Sequence, residues 1–404
     1  MAEALALARL GIALASPNPC VGAVLVAPDG SVVGRGSHAY EGVKHAEVIA
    51  LEEAGARARG ATLYLNLEPC CHAGRTVPCV ERVIAAGVRR VVAAMPDPNP
   101  QVSGQGFAVL RAAGVEVAVG ICEAEARRLN EAFARWVRSG RPLVTLKAGM
   151  TLDGKIAPPP GEPEASPALS AGGATGGWIT SEAARAHVQQ LRHGSDAILV
   201  GVGTVIADDP LLTDRTGEPR RRPLLRVIVD SRLRLPLESR VVHTAKDDVL
   251  VFCSFAEENK RRELESRGVR VEQVPLAPRT GVDRVPLSFA PPATAVARPD
   301  MARLAARLGE MEITSLLVEG GALVNWAALA AGIVDKVFLF YAPKILAGTG
   351  SVPFATGAGF RRMSDAAQVT SVTLHRFGED FAVEGYLRDP YEDSSQPSAF
   401  SREV

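Results

Sequence analysis

"KHAEVIALEEA", residues 44–54, places a histidine and a glutamate two positions apart at the mouth of an amphipathic helix. Two readings compete: a helix start with a convenient charge, or half of a metal site. The surrounding chain frames the choice. Residues 2–14 read as a helix. "VGAVLVAPDGSVVGRG" (21–36) reads as a hairpin, two β-branched runs around Pro28-Asp29-Gly30. A helix over 46–55, a strand over 61–67, a helix over 79–86, a strand over 88–95, a helix over 104–113, a strand over 115–119 and a helix over 122–138 follow. Such alternation predicts an α/β sandwich with a mixed sheet.

The chain has 404 residues, 47% apolar and 22% charged, with a net charge of zero. That length calls for more than one core. Zero net charge removes any bulk electrostatic reason to expect a nucleic acid or an acidic membrane as partner. The local basic run Arg220, Arg221 and Arg222 reads as a solvated loop. No stretch reaches membrane-span length. The opening "MAEALALARLGIALAS" has no basic leader region and reads as a mature helix, and a cytoplasmic location is expected. Of six cysteines, Cys70, Cys71 and Cys79 crowd into ten residues, a pattern of metal or redox chemistry rather than of a disulfide scaffold.

Those cysteines lie in "LEPCCHAGRTVPC" (67–79). A catalytic zinc takes three protein ligands and keeps a fourth position for water. His45-Ala46-Glu47 fits the H-x-E of zinc deaminases, and the Pro69-Cys70 and Pro78-Cys79 steps fit their P-C-x-x-C with a longer spacing. Adjacent Cys70 and Cys71 project in different directions. The expected ligands are therefore His45, Cys70 and Cys79. Glu47 remains to take a proton from the zinc's water and pass it to a departing amine. The competing arrangement is a closed structural zinc with Cys71 as fourth ligand, which leaves Glu47 unused.

"SPNPCVGAVLV", "HAEVIAL", "LEPCCHAGRTVPC" and "MPDPNPQVSGQG" together resemble the deaminase half of the bifunctional riboflavin-biosynthesis deaminase–reductases. The resemblance implies a cytidine-deaminase-like α/β/α domain acting on a diaminopyrimidine that carries a ribose 5-phosphate. It places the substrate phosphate near His72 and Arg75 and the base against Asn18, with His38, Asp97 and Asn99 facing the same pocket. Where the family has Ser-His, this chain has Cys71-His72.

A fresh buried strand starts at "RPLVTLKAGM" (141–150) after Ser139-Gly140, so a domain over 1–140 is expected, followed by one over 141–390 and a disordered tail over 391–404. Strands are expected at 143–150, 196–202, 224–230, 248–254, 269–274, 313–319, 334–342 and 381–388. Helices are expected at 181–193, 256–267, 299–309 and 321–331. A Pro/Gly/Ala-rich stretch over 157–177 reads as a mobile loop. The Glu319-Gly320-Gly321 turn before a helix is an anion site in kind. The resemblance implies a dihydrofolate-reductase-like α/β fold here, with NADPH against Trp178, Thr204, Asp208, Ser231 and Gly321. Substrate would meet Lys155, Gly176, Arg192, Leu212, Arg215 and Glu319. The family usually has a Ser where Gly176 stands.

The expected activity is thus zinc-dependent deamination followed by NADPH-dependent reduction of ribosyl to ribityl, in a homo-oligomer (dimer or tetramer) whose partners are small phosphorylated pyrimidines. The alternatives are a deaminase of another nucleoside or nucleotide with an inert second domain, and a non-catalytic zinc-stabilised binding protein.

Overall fold

A computed structural model describes residues 1–71, 78–159, 177–277 and 298–392. His72, Arg75 and Gly176, nearly all of the expected 157–177 loop, and the tail from 393 lie outside the described residues. The chain divides into two compact units, Met1–Gly140 with Glu218–Arg222, and the remainder.

The first unit runs α1 (Ala2–Arg9), β1 (Gly22–Val26), β2 (Val32–Ser37), α2 (Ala46–Ala54), β3 (Thr62–Leu65), α3 (Cys79–Ala85), β4 (Arg90–Ala93), α4 (Gln105–Ala112), β5 (Glu116–Val119), α5 (Glu123–Leu129) and α6 (Glu131–Ser139). Its sheet has the order β2-β1-β3-β4-β5. β1 pairs antiparallel with β2 and β3, while β3, β4 and β5 are parallel. The sheet is therefore mixed. The β1–β2 hairpin turns over Pro28–Gly30, with Gly30 at φ +87°, where a side chain would be strained.

α2 lies directly on β2. A Cβ on Gly36 would run into the Ala46 carbonyl, and one on Gly34 into that of Ala50. Glycine on the strand thus lets the helix that starts at His45 seat against the sheet, burying Ala46, Glu47, Val48, Ala50 and Ala54. Two expected helices come out differently. The one expected over 2–14 stops at Arg9, and the chain turns through Leu10–Ala13, with Ala13 at φ +59°. The one expected over 122–138 breaks at Asn130 (φ −110°, ψ 15°). There the Asn130 side chain accepts from the Cys20 N–H (2.8 Å) and donates to the Cys20 carbonyl (3.1 Å). An asparagine that finds long-range backbone partners competes with helix continuation.

The second unit runs β6 (Leu143–Thr151), β7 (Lys155–Ala157), α7 (Glu182–His193), β8 (Ala197–Gly201), α8 (Val202–Asp208), β9 (Leu225–Val229), α9 (Arg240–His243), β10 (Val249–Cys253), α10 (Glu258–Glu265), β11 (Val269–Gln273), α11 (Met301–Glu310), β12 (Ser315–Gly320), α12 (Ala322–Ala330), β13 (Lys336–Ala342), β14 (Val352–Pro353), β15 (Thr370–Phe377) and β16 (Asp380–Tyr386). Nine strands form one sheet in the order β11-β10-β9-β8-β12-β6-β13-β16-β15. β11 through β13 are parallel neighbours, and β16 and β15 add an antiparallel edge.

Runs such as "AILVG" and "VLVFC" are apolar throughout because both faces of a parallel sheet are covered. Leu199, Val227 and Phe252 pack with Leu304, Leu308 and Val324 from α11 and α12. Ile198, Val200 and Ile228 pack on the other face with Val205, Val241 and Leu264 from α8, α9 and α10. Val202–Asp208 forms α8, which is not among the expected helices. β15, absent from the sequence reading, is an edge strand with Val372 and Leu374 exposed. Among the described residues no helix is long and apolar enough to cross a membrane.

Candidate functional site

His45 is the N-cap of α2 and Cys79 the first residue of α3, while Cys70 follows β3. These three side chains meet. His45 Nδ1 lies 3.2 Å from Cys79 Sγ and 3.5 Å from Cys70 Sγ. One ligand atom from each falls within 4.8 Å of the others, the metal-ligand cluster of the described residues. The Cys79 N–H donates to Cys70 Sγ at 3.3 Å, a helix-terminal amide aimed at sulfur. The hydrogen bond from Cys79 holds Cys70 at a pKa of about 4, and the same bond pushes the Cys79 thiol up. Cys71 is elsewhere: its sulfur faces Gln105 Oε1 at 4.0 Å.

Glu47 is 3% exposed, and its Oε2 is buried without a hydrogen-bond partner. Burial pushes its pKa up, against the pull of His45. An imidazole and two thiols fit a zinc with an open position. A buried carboxylate oxygen left unpaired beside them is costly unless something else uses it.

Asn18 and His38 form the wall next to this cluster. His38 Nδ1 lies 3.0 Å from the Lys44 carbonyl, which can only accept, so Nδ1 carries the proton. Nε2 then accepts from Asn18 Nδ2 at 3.0 Å. Burial lowers the His38 pKa, in keeping with a neutral ring. Its edge meets the His45 ring at 5.4 Å between centroids. Asp97 and Asn99 sit in the loop after β4, where each side-chain oxygen accepts a backbone N–H two residues on.

Sequence reasoning missed Glu68, two residues before a metal-ligand candidate. It is 5% exposed and accepts four backbone N–H groups, from Asp97 (3.0 Å), Gly104 (2.8 Å), Gly106 (2.8 Å) and Phe107 (3.2 Å). It fixes the loop of Asp97 and Asn99 and the start of α4. Glu68→Ala leaves those amides unpaired and is expected to destabilise the first unit by about 3 kcal/mol. Hydrogen exchange should show lost protection at Gly104, Gly106 and Phe107; unchanged protection there contradicts this role. The signal in the sequence was the acid beside Pro-Cys in an apolar strand end.

In the second unit Thr204, Ser231 and Glu319 to Gly321 lie at one edge of the sheet. Ser231 follows β9, Thr204 follows β8, and Glu319 to Gly321 end β12, three neighbouring strands. That is the carboxyl edge of a parallel sheet, where ligands bind in open α/β folds. Thr204 Oγ1 donates to the Gly320 carbonyl at 3.0 Å. Gly320 and Gly321 have φ of +48° and +106°. A Cβ on Gly321 would crowd Thr204 Oγ1 at 3.1 Å, so the turn leaves its backbone open at the N-terminus of α12, a fit for a dinucleotide phosphate. Asp208 ends α8, its pKa raised by burial. Trp178 is 52% exposed, with the Arg185 guanidinium 4.8 Å from its ring centroid.

Arg192, at the end of α7, grips Glu319 through Nε (2.6 Å) and Nη2 (2.9 Å) and donates Nη1 to the Thr213 carbonyl (3.0 Å). Lys147 of β6, another residue the sequence reading passed over, lies 3.4 Å from the same carboxylate. Burial alone would raise the Glu319 pKa, but the Lys147 and Arg192 charges outweigh it and hold it at about 2. Arg215 is exposed on the following loop. Leu212 is 4% exposed, its side chain in the core at φ +56°, so only its backbone is available to a ligand. Lys155 opens β7, its N–H donating to Thr151 Oγ1 at 3.0 Å.

Fold and donor sets define a zinc-type deaminase joined to a reductase. Residues 1–95 match the cytidine and deoxycytidylate deaminase zinc-binding region, and residues 142–383 match the RibD C-terminal domain. Riboflavin biosynthesis protein RibD of Actinobacillus pleuropneumoniae is 37% identical over 390 residues, covering 96% of this chain and 95% of its own. A solved Acinetobacter baumannii RibD superposes with a TM-score of 0.76 at 34% identity, covering 95% of this chain and 97% of that one. A Thermotoga maritima structure described as a diaminohydroxyphosphoribosylaminopyrimidine deaminase/5-amino-6-(5-phosphoribosylamino)uracil reductase gives 0.74 at 34% identity, covering 96% and 97%. The chain belongs to the RibD family of bifunctional deaminase–reductases of riboflavin biosynthesis. Zinc and NADPH are its cofactors. An inert second domain does not fit the match over 142–383.

Proposed function

We propose that the first unit hydrolyses the exocyclic amine of 2,5-diamino-6-ribosylamino-4(3H)-pyrimidinone 5′-phosphate, and that the second reduces the product's ribosyl group to ribityl. The observation that carries this is a His45–Cys70–Cys79 donor cluster beside a buried, unpaired Glu47 oxygen, in a chain aligned along its length with RibD proteins.

His45, Cys70 and Cys79 would hold the zinc, which when bound would supply a Lewis acid that brings the pKa of water near 7. Glu47 accepts the water's proton and returns it to the leaving amine, its burial raising its affinity for that proton. Asn18, oriented by His38, offers hydrogen bonds to the pyrimidine, and His72 and Arg75 meet the phosphate. In the second unit NADPH, when bound, would supply the hydride. The open turn at Gly321, with Thr204, Asp208, Ser231 and Trp178, binds and orients it. Arg215 meets the substrate phosphate, with the Leu212 backbone alongside; a substrate contact at Gly176 is carried only by the family resemblance. Arg192 and Lys147 keep Glu319 ionised and aimed. Lys155 orients or protonates the sugar centre.

The domain division is assigned near residue 140. The protein is read as a cytoplasmic homo-oligomer (dimer or tetramer) with no nucleic-acid partner, in line with its zero net charge. Purified protein assayed on this one substrate should release ammonia and then consume NADPH. Ammonia release without NADPH consumption contradicts the two-step reading.

A further inference from the structure

The run Arg220–Arg222 is not the solvated loop that its charge suggests. It lies in sequence between α8 and β9 yet belongs to the first unit. We propose that Arg221 is a positioning residue of the deaminase pocket, clamping from outside the two loops that carry Asn18 and His38.

The Arg221 N–H donates to the Ala13 carbonyl at 2.9 Å. Its Nη1 donates to the Ser16 carbonyl at 2.7 Å, and its guanidinium lies 3.5 Å from the Tyr40 ring centroid. Arg222 Nη2 reaches Ser16 Oγ at 3.2 Å. Ser16 is two residues before Asn18, and Tyr40 two after His38. The same two loops are also joined by the Asn18–His38 hydrogen bond of 3.0 Å. Neither Ser16–Cys20 nor Ala39–Lys44 lies in a strand or α-helix, so few ladder bonds hold them. A planar cation that donates to one loop while stacking on the other joins them in a way a lysine does not. The Glu41 carboxylate at 3.2 Å is 78% exposed, and that ion pair contributes little. What remains is the carbonyl and the ring.

Arg221 bonds to Ala13, Ser16 and Glu41 and stacks on Tyr40, not on His45, Glu47, Cys70 or Cys79, so its loss should loosen the wall that receives the pyrimidine and leave the proton transfer intact. Preorganised loops bind more tightly because less ordering remains to be done on binding. The inference rests on the deaminase reading above, because Asn18 and His38 are the groups being held.

The test is steady-state ammonia release by the full-length, zinc-loaded protein. Arg221→Ala should raise KM about five-fold with kcat within about two-fold of wild type. Zinc content, and NADPH oxidation on the deaminated product, should not change. Tyr40→Leu should raise KM about two-fold and add nothing to Arg221→Ala, since both remove one clamp. If Arg221→Ala is insoluble, Arg221→Lys carries the test, with KM up about two-fold. An unchanged KM overturns the proposal, as does a fall in kcat alone or a joint loss of zinc and both activities. A wild-type protein that releases no ammonia overturns it together with the deaminase reading; a wild-type that does, beside an unaltered variant, overturns it alone.

Discussion

Glu47→Gln is expected to cut ammonia release by about 10³-fold, the scale of a lost general acid–base group, with zinc content and reductase turnover unchanged. Glutamine keeps the shape of the side chain beneath α2 but cannot accept the proton. Glu47 is not in the cluster of donor atoms within 4.8 Å, so the metal should stay. The unpaired Oε2 is what makes the side chain available for transfer. A turnover within ten-fold of wild type, or a variant that loses its zinc, contradicts the shuttle role. Either result would place the proton elsewhere or make Glu47 a structural part of the metal site.

The second large effect is expected at Glu319. Its carboxylate, 9% exposed, is held at about pKa 2 between Lys147 and Arg192, against an ordinary value of 4.5. A depressed folded-state pKa contributes stability that is present above the unfolded value and is lost as pH falls through the folded one. The difference corresponds to about 3 kcal/mol at pH 7. Glu319→Gln should therefore destabilise the second unit by about that amount at pH 7, and the gap should close between pH 4.5 and 2. It should abolish most reductase activity, since Arg192 would lose the partner that orients it. Denaturant unfolding of variant and wild type across that range checks this. A gap that does not shrink with acid contradicts an ionised buried carboxylate.

Local patterns made the first unit readable. His45-x-Glu47 and the two Pro-Cys steps are short motifs whose chemistry follows from residue type and spacing, and the structure brings His45, Cys70 and Cys79 together. Strand and helix order was also legible, because each element carries its own periodicity. What escaped was set by distant partners. Asn130 breaks a helix-forming run because its amide is spent on Cys20, 110 residues away. Arg192 and Glu319 are 127 residues apart, and Lys147 has no local sign of joining them. Glu68 looked like an ordinary acid at a strand end, because its four partners come from a loop and the start of α4, 29 to 39 residues downstream. β15 has exposed Val372 and Leu374, so no inward apolar alternation marked it as a strand. Arg221 seemed solvated because nothing nearby in sequence announces Ser16 and Tyr40.

X-ray absorption at the zinc edge of the purified full-length protein distinguishes an open His45–Cys70–Cys79 site from a closed one. One zinc per chain is expected, with two sulfur neighbours at about 2.3 Å and two nitrogen or oxygen neighbours at about 2.0 Å, unchanged in Cys71→Ser and reduced to one sulfur or lost in Cys79→Ser. A third sulfur that disappears with Cys71→Ser would close the fourth position, and the deaminase mechanism would fail with it.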